Sequence, residues 1–130
     1  MELVCRPQRW ERFVWTITPC ATFDAHPQRH GVARWPEEPA SIIAAARWRT
    51  ERQSFLPLPE LRQAIFTIHV RTRALVDAID TPARATALHA ALASMSRAVL
   101  EYRGLVSARD TLLSWLSTRA GLAGAEDSAV

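Results

Sequence analysis

The sequence predicts an α+β fold: a small antiparallel β-sheet packed by two C-terminal α-helices. Three stretches predict it. Over residues 12–18, Phe13, Trp15 and Ile17 alternate with Arg12, Val14, Thr16 and Thr18, the period-two pattern of a half-buried strand. Residues 47–71 read as two extended segments joined by a turn that Pro57 and Pro59 close. From Pro82 onward the apolar spacing widens to threes and fours, the period of an amphipathic helix.

Residues 1–11 are polar, contain Pro7 and are expected to be irregular. The first strand ends before Pro19. Residues 20–39 hold Pro27, Gly31, Pro36 and Pro39 without a sustained period and read as a long loop. Residues 40–46, rich in alanine and isoleucine, predict one or two helical turns capped by Ser41. In the next segment Arg47, Arg49, Glu51 and Gln53 lie two apart and share one strand face. Trp48, Thr50, Arg52 and Ser54 take the other. The following segment alternates Phe66, Ile68 and Val70 with Thr67, His69 and Arg71, and its β-branched density favours strand over helix.

Residues 74–79 predict a short helix or turn. Asp80 or Thr81 caps a helix that has Pro82 at its first position. Leu88, Leu92, Met95, Val99 and Tyr102 draw one stripe and predict a single helix over residues 82–103, ended by Gly104. A last helix starts at Ser107 or Ala108, carries Asp110 in its first turn and stops at Gly121. One domain is expected over residues 1–121, with the small, acidic stretch 122–130 as a frayed tail.

A chain of 130 residues is expected to be one domain, and 48% apolar residues with five tryptophans give it a real core. Its sixteen basic residues are all arginine, but they are spread along the chain among thirteen acids, for a net charge of +3. That dispersal argues against a nucleic-acid stripe. No apolar run approaches the length of a membrane span, and the N-terminus has no apolar secretory core. The expectation is a soluble cytoplasmic protein with Cys5 and Cys20 reduced. Four glycines leave no phosphate-cradling loop, and no nucleophile elbow or zincin helix is present.

The chemistry-bearing stretch is Arg49, Glu51, Arg52 and Gln53. Arginines beside a glutamate hold carboxylates through forked, charge-assisted bonds. The same residues on a solvated strand face form an ion-pair network of little energetic weight. Thr67 and His69 follow on the next segment, where a histidine serves as a metal ligand, a proton shuttle or a plain structural residue. Cys5, Cys20, His26 and His30 are ligand-type residues, but their spacing lacks a Cys-x-x-Cys anchor and predicts no metal site. Among the tryptophans, Trp15 and Trp115 fall on apolar periods and read as core. Trp10 and Trp35 lie in irregular stretches and read as exposed. The five tryptophans offer a wall for a flat cofactor or stacking platforms for bases, against the plain reading of core packing and a partner interface.

One resemblance spans most of the chain. Arg49-x-Glu51-Arg52-Gln53-x-Phe55-x-x-Leu58-Pro59, followed by Ala64-Ile65-Phe66-Thr67-Ile68, resembles the haem-dependent oxidative N-demethylase family, alpha-subunit type. Tyr102-x-Gly104-Leu105 and Leu113-x-Trp115-Leu116 are similar to its later landmarks, and Arg12-Phe13-Val14-Trp15-Thr16-Ile17 approximates an earlier one. The resemblance runs from about Arg12 to about Ala120 and corresponds to the C-terminal half of the family domain. Val14 stands where the family has asparagine, and His69 where it more often has arginine.

The resemblance implies haem b, molecular oxygen and oxidative removal of a methyl group from a small amine. It also implies flavin and iron–sulfur electron-transfer subunits, and a complementary chain carrying the N-terminal half with the haem ligand. Arg49, Glu51, Arg52, Gln53 and Thr67 are the positions expected to line that site, with His69, a departure from the family pattern, as a further candidate cofactor-binding residue. Half a pocket holds a cofactor weakly, so the expectation is a truncated or split form with little activity alone. The alternative is a non-catalytic interaction module that docks a complementary chain through an exposed apolar face.

Overall fold

The computed structural model describes residues 7–24 and 26–122, apart from the side chains of Pro27 and His30. Three strands form one antiparallel sheet in the order β1-β2-β3. They are β1 (Trp10–Thr18), β2 (Arg47–Leu58) and β3 (Gln63–Ala74). Around them lie α1 (Pro27–His30), α2 (Pro39–Ala45), α3 (Leu75–Ala78), α4 (Pro82–Ala93), α5 (Arg97–Tyr102) and α6 (Arg109–Ala120). The α+β architecture expected from the sequence is the one observed. The tail beyond residue 122, and Cys5, lie outside the described residues.

Register settles which side chains share a face. Glu51 pairs with Val14 on one side and Val70 on the other, and Gln53 pairs with Arg12 and Ile68. Arg52 pairs with Phe13 and His69. Opposed residues point the same way. One face therefore carries Arg12, Val14, Arg49, Glu51, Gln53, Ile68 and Val70. The opposite face carries Glu11, Phe13, Trp15, Ile17, Trp48, Arg52, Thr67 and His69.

The helices pack on the second face, at the end where its side chains are apolar. Ile17 is fully buried with Leu75, Leu92, Leu105, Leu112 and Leu116. Trp15 and Trp48 stack with ring centroids 5.0 Å apart and pack against that cluster. Polar ties add to this packing, one of them to the sheet itself. Trp35 Nε1 donates to the Gly104 carbonyl at 2.8 Å. Arg103 donates to the Trp15 carbonyl at 2.5 Å and lies over that ring. Arg119 donates to the carbonyls of Ile79 and Val76. Phe13 falls beyond the reach of the helices and stays 72% exposed, despite its apolar period.

The structure departs from the sequence-based expectation at several elements. The single helix over 82–103 is two helices, because Ser96 caps a new one by accepting from Val99 N at 3.3 Å. The break turns the stripe: Leu100 is buried, while Tyr102 is 92% exposed. α2 starts at Pro39 after Glu38 and has no side-chain cap, so Ser41 does not cap it. β1 begins at Trp10, two residues early. Trp10 stacks on Phe55 at 5.3 Å, and Trp35 joins the core, so neither stands exposed in an irregular stretch. Thr81 caps α4 by accepting from Arg84 N, as expected. Among the described residues no helix is long and apolar enough to cross a membrane.

The β2–β3 connection is a 3₁₀ turn over Pro59–Leu61 closed by Arg62, whose φ of 51° is left-handed. A β-branched side chain is strained there. Arg62→Val is expected to lower unfolding free energy by about 1–2 kcal/mol, while Arg62→Gly stays within about 0.5 kcal/mol of the parent. Denaturant titration of the two variants checks this.

Candidate functional site: the open sheet face

The face turned away from the helical core carries a polar row along β2. Arg12 Nε donates to Gln53 Oε1 at 2.6 Å, and Gln53 Nε2 donates to Glu51 Oε2 at 2.9 Å. Arg49 Nε lies 3.5 Å from Glu51 Oε1, and an Arg49 terminal nitrogen donates to the Thr22 carbonyl at 3.1 Å. Arg49 and Gln53 are 9% and 8% exposed. Charged and amide groups are seldom this buried without partners. Here each finds one in its neighbour, and no buried side-chain polar atom among the described residues lacks a partner.

Apolar side chains border the row. Val14 lies on one side and Val70 and Ile68 on the other, with Phe66 beyond. None of these joins the helix-packed core, and Phe66 and Ile68 are about half exposed (49% and 50%). A flat apolar surface therefore surrounds a preformed set of charged donors and acceptors. Glu51 is the one carboxylate that the strands place on this face.

The six positions singled out from the sequence do not form one site. Arg49, Glu51 and Gln53 share the open face; Arg52, Thr67 and His69 lie behind the sheet. The cause is the strand period: adjacent residues such as Arg52 and Gln53 point to opposite faces. Arg52, Thr67 and His69 instead line two adjoining shallow concavities of about 470 and 450 Å³, which share Glu11, Arg52 and His69. There Arg52 Nε donates to Glu11 Oε2 at 2.8 Å. That hydrogen bond holds the Glu11 carboxyl below its ordinary range, and the same bond raises the Arg52 guanidinium. Both groups are solvent-exposed, so the pair contributes little to stability.

A third hollow was not legible in the sequence. It measures about 480 Å³ between the Trp15–Trp48 pair and α4, with Arg73 and Arg84 at its rim. Its only sequence signal was the two tryptophans, which come together across β1 and β2. Among the described residues no cluster of histidine, cysteine and carboxylate side chains could hold a metal ion. Cys20 and His26 engage their own loop: Cys20 Sγ lies 3.1 Å from Thr22 Oγ1, and His26 Nδ1 accepts from Gln28 N.

The model of a family described as haem-dependent oxidative N-demethylase, alpha subunit-like, matches residues 5–113. The chain belongs to this family. The match contains the whole sheet, α4 and α5, and ends inside α6. The family's description carries haem dependence and an alpha-subunit character.

For the haem that the family's description names, the residues of the open face offer partial chemical complementarity. Guanidinium groups at Arg12 and Arg49 suit propionate carboxylates, and the bordering valine, isoleucine and phenylalanine suit a porphyrin plane. An iron ligand would be a histidine, cysteine, methionine or tyrosine, and the strands place none of these on that face. His69 points to the other side.

Two outcomes follow from this geometry. Gln53→Ala leaves Glu51 and Arg12 without their shared partner and is expected to lower stability by about 1–3 kcal/mol, read by thermal or urea unfolding. Arg52→Gln removes the guanidinium that holds Glu11 down, so the Glu11 carboxyl titrates closer to its ordinary value by NMR. The lowered carboxyl contributes only above its unfolded pKa, and that contribution fades as pH falls through the folded one.

Proposed function

We propose that this chain forms one wall of a haem site in an oxidative N-demethylase, an oxidoreductase of monooxygenase type acting on small amines in the cytoplasm. The observation that carries the reading is the row Arg49–Glu51–Gln53. Arg49 and Gln53 are buried, Glu51 is half-buried between them, and all three are partnered on a sheet face that the helical core does not use. A solvated face has no need of such an arrangement, since exposed ion pairs stabilise little. The family match supports the same reading.

Haem, when bound, supplies the oxygen chemistry, and the protein supplies seating, orientation and electrostatics. Arg49 is fixed by Glu51 and the Thr22 carbonyl, so its guanidinium meets a carboxylate without losing further freedom. Arg12, held by Gln53 and lying over the Trp10 ring, gives a second cationic point at the far end of the row. Glu51 accepts from Gln53 and stays partly accessible, which suits the ammonium of a small amine. Val14, Ile68 and Val70 exclude water on either side of the row.

This is a single wall. Ligand sites bury most of their ligand, so a second segment must close over the open face and bring the iron ligand. A complementary chain is the partner proposed for that role, with flavin and iron–sulfur subunits delivering electrons. A second reading, a non-catalytic module that docks another chain, is favoured by the half-exposed Phe66 and Ile68 on the same face.

Haem titration of the isolated chain separates the two. The demethylase reading expects a weak Soret band that Arg49→Ala diminishes by about tenfold or more in affinity, since a charge-assisted bond is lost. His69→Ala leaves it unchanged. A band lost with His69→Ala and indifferent to Arg49→Ala moves the haem behind the sheet and overturns the assignment. No band at all leaves the docking module standing.

A further inference from the structure

β3 is an edge strand. Among the described residues its only strand partner is β2, so the other side of its ladder is unpaired over the strand's 12 residues. Edges of this kind are normally blunted by charge, proline or a bulge. β3 has none of these between Arg62 and His69: the stretch Gln63-Ala64-Ile65-Phe66-Thr67-Ile68 is uncharged and rich in strand formers. It is apolar on both faces. Ile65 behind the sheet is 48% exposed, as Phe66 and Ile68 are on the open face. The opposite edge, β1, differs, because Glu11 and Arg12 are both charged and both bonded to side chains of β2.

We infer that the occupant of this edge is a second copy of the chain, with two β3 strands pairing antiparallel about a two-fold axis. The uncharged stretch pairs with itself in that arrangement, which selects the occupant, and charge placement selects the direction. Arg71 and Arg73 sit at one end of β3, and no carboxylate among the described residues pairs with either. Parallel pairing would set each arginine beside its own copy, which is repulsive. Antiparallel pairing centred on Thr67 sets Arg71 opposite Gln63. It sets Arg62 opposite Thr72 and brings the arginine end of one copy to the turn of the other, where exposed Glu60, which has no ion-pair partner among the described residues, offsets the added positive charge.

The same register places Phe66 opposite Ile68 on the open face and Ile65 opposite His69 behind it. An aromatic facing a β-branched side chain is a favourable cross-strand pair. The product is one continuous six-stranded sheet, twice the three strands of a single copy. An axis normal to the sheet keeps both open faces on the same side. The inference stands on the edge alone and does not depend on haem.

Light scattering after size exclusion, on the full chain up to about 100 µM, tests it. A dimer is expected. Phe66→Lys and Ile65→Lys, on opposite faces of the same edge, are each expected to weaken it by about tenfold or more. Phe13→Lys, on β1, leaves it intact. Hydrogen exchange at residues 64–68 slows as concentration rises. A monomer throughout overturns the inference. So does a dimer that only Phe66→Lys breaks, which is face-to-face stacking, or one that Phe13→Lys breaks instead.

Discussion

A buried guanidinium or amide must find a partner or be expelled to water, and β2 meets that demand with its own neighbours. Gln53 bridges Arg12 to Glu51, Glu51 faces Arg49, and Arg49 reaches the carbonyl of Thr22. Every side-chain link joins residues two apart on one strand or directly across from it, and the Thr22 carbonyl closes the row from the loop after β1. The row therefore exists only in this register. A slip of one residue would send Arg49, Glu51 and Gln53 behind the sheet and bring Trp48 and Arg52 forward. The apolar end of the opposite face then loses Trp48, and the helices lose their floor. Polar row and helical core are two sides of one registration.

That registration also divides the labour of the molecule. One face spends its apolar side chains on Ile17, Trp15 and Trp48 against the helices, and this half confers stability. The other face keeps Val14, Val70, Ile68 and Phe66 around a charged spine and packs against none of the core. The stabilising core and the proposed recognition surface thereby lie on opposite sides of a single sheet. The segment around Thr22 joins them, since its carbonyl closes the spine while its chain continues toward the helices.

Much of this was legible in the residues. The alternation at Phe13, Trp15 and Ile17, the spacing of Arg47, Arg49, Glu51 and Gln53, and the Thr81-Pro82 start each follow from local periods and caps. The family was legible in the Glu51-Arg52-Gln53 run and its followers. What was not legible depends on contacts distant in sequence. Arg52 already fell on the other face by the strand period, whereas the side taken by Thr67 and His69 depends on cross-strand register, which no single segment encodes. The helix break at Ser96 was masked by an apolar stripe that continues in sequence while the backbone turns. Trp10 and Trp35 read as exposed because the partners that cover them, Phe55 and Gly104, lie 45 and 69 residues away.

The central claim is that the row is one fixed, water-shielded arrangement and not a set of mobile surface charges. Solvent exchange of the Arg49 Nε–H and Gln53 Nε2–H protons, followed by NMR, addresses it directly. The account predicts exchange far slower than at Arg71, which lies exposed on the neighbouring strand, with a correlation linking Gln53 to the Glu51 carboxylate. Exchange at Arg49 and Gln53 as fast as at Arg71 would contradict it.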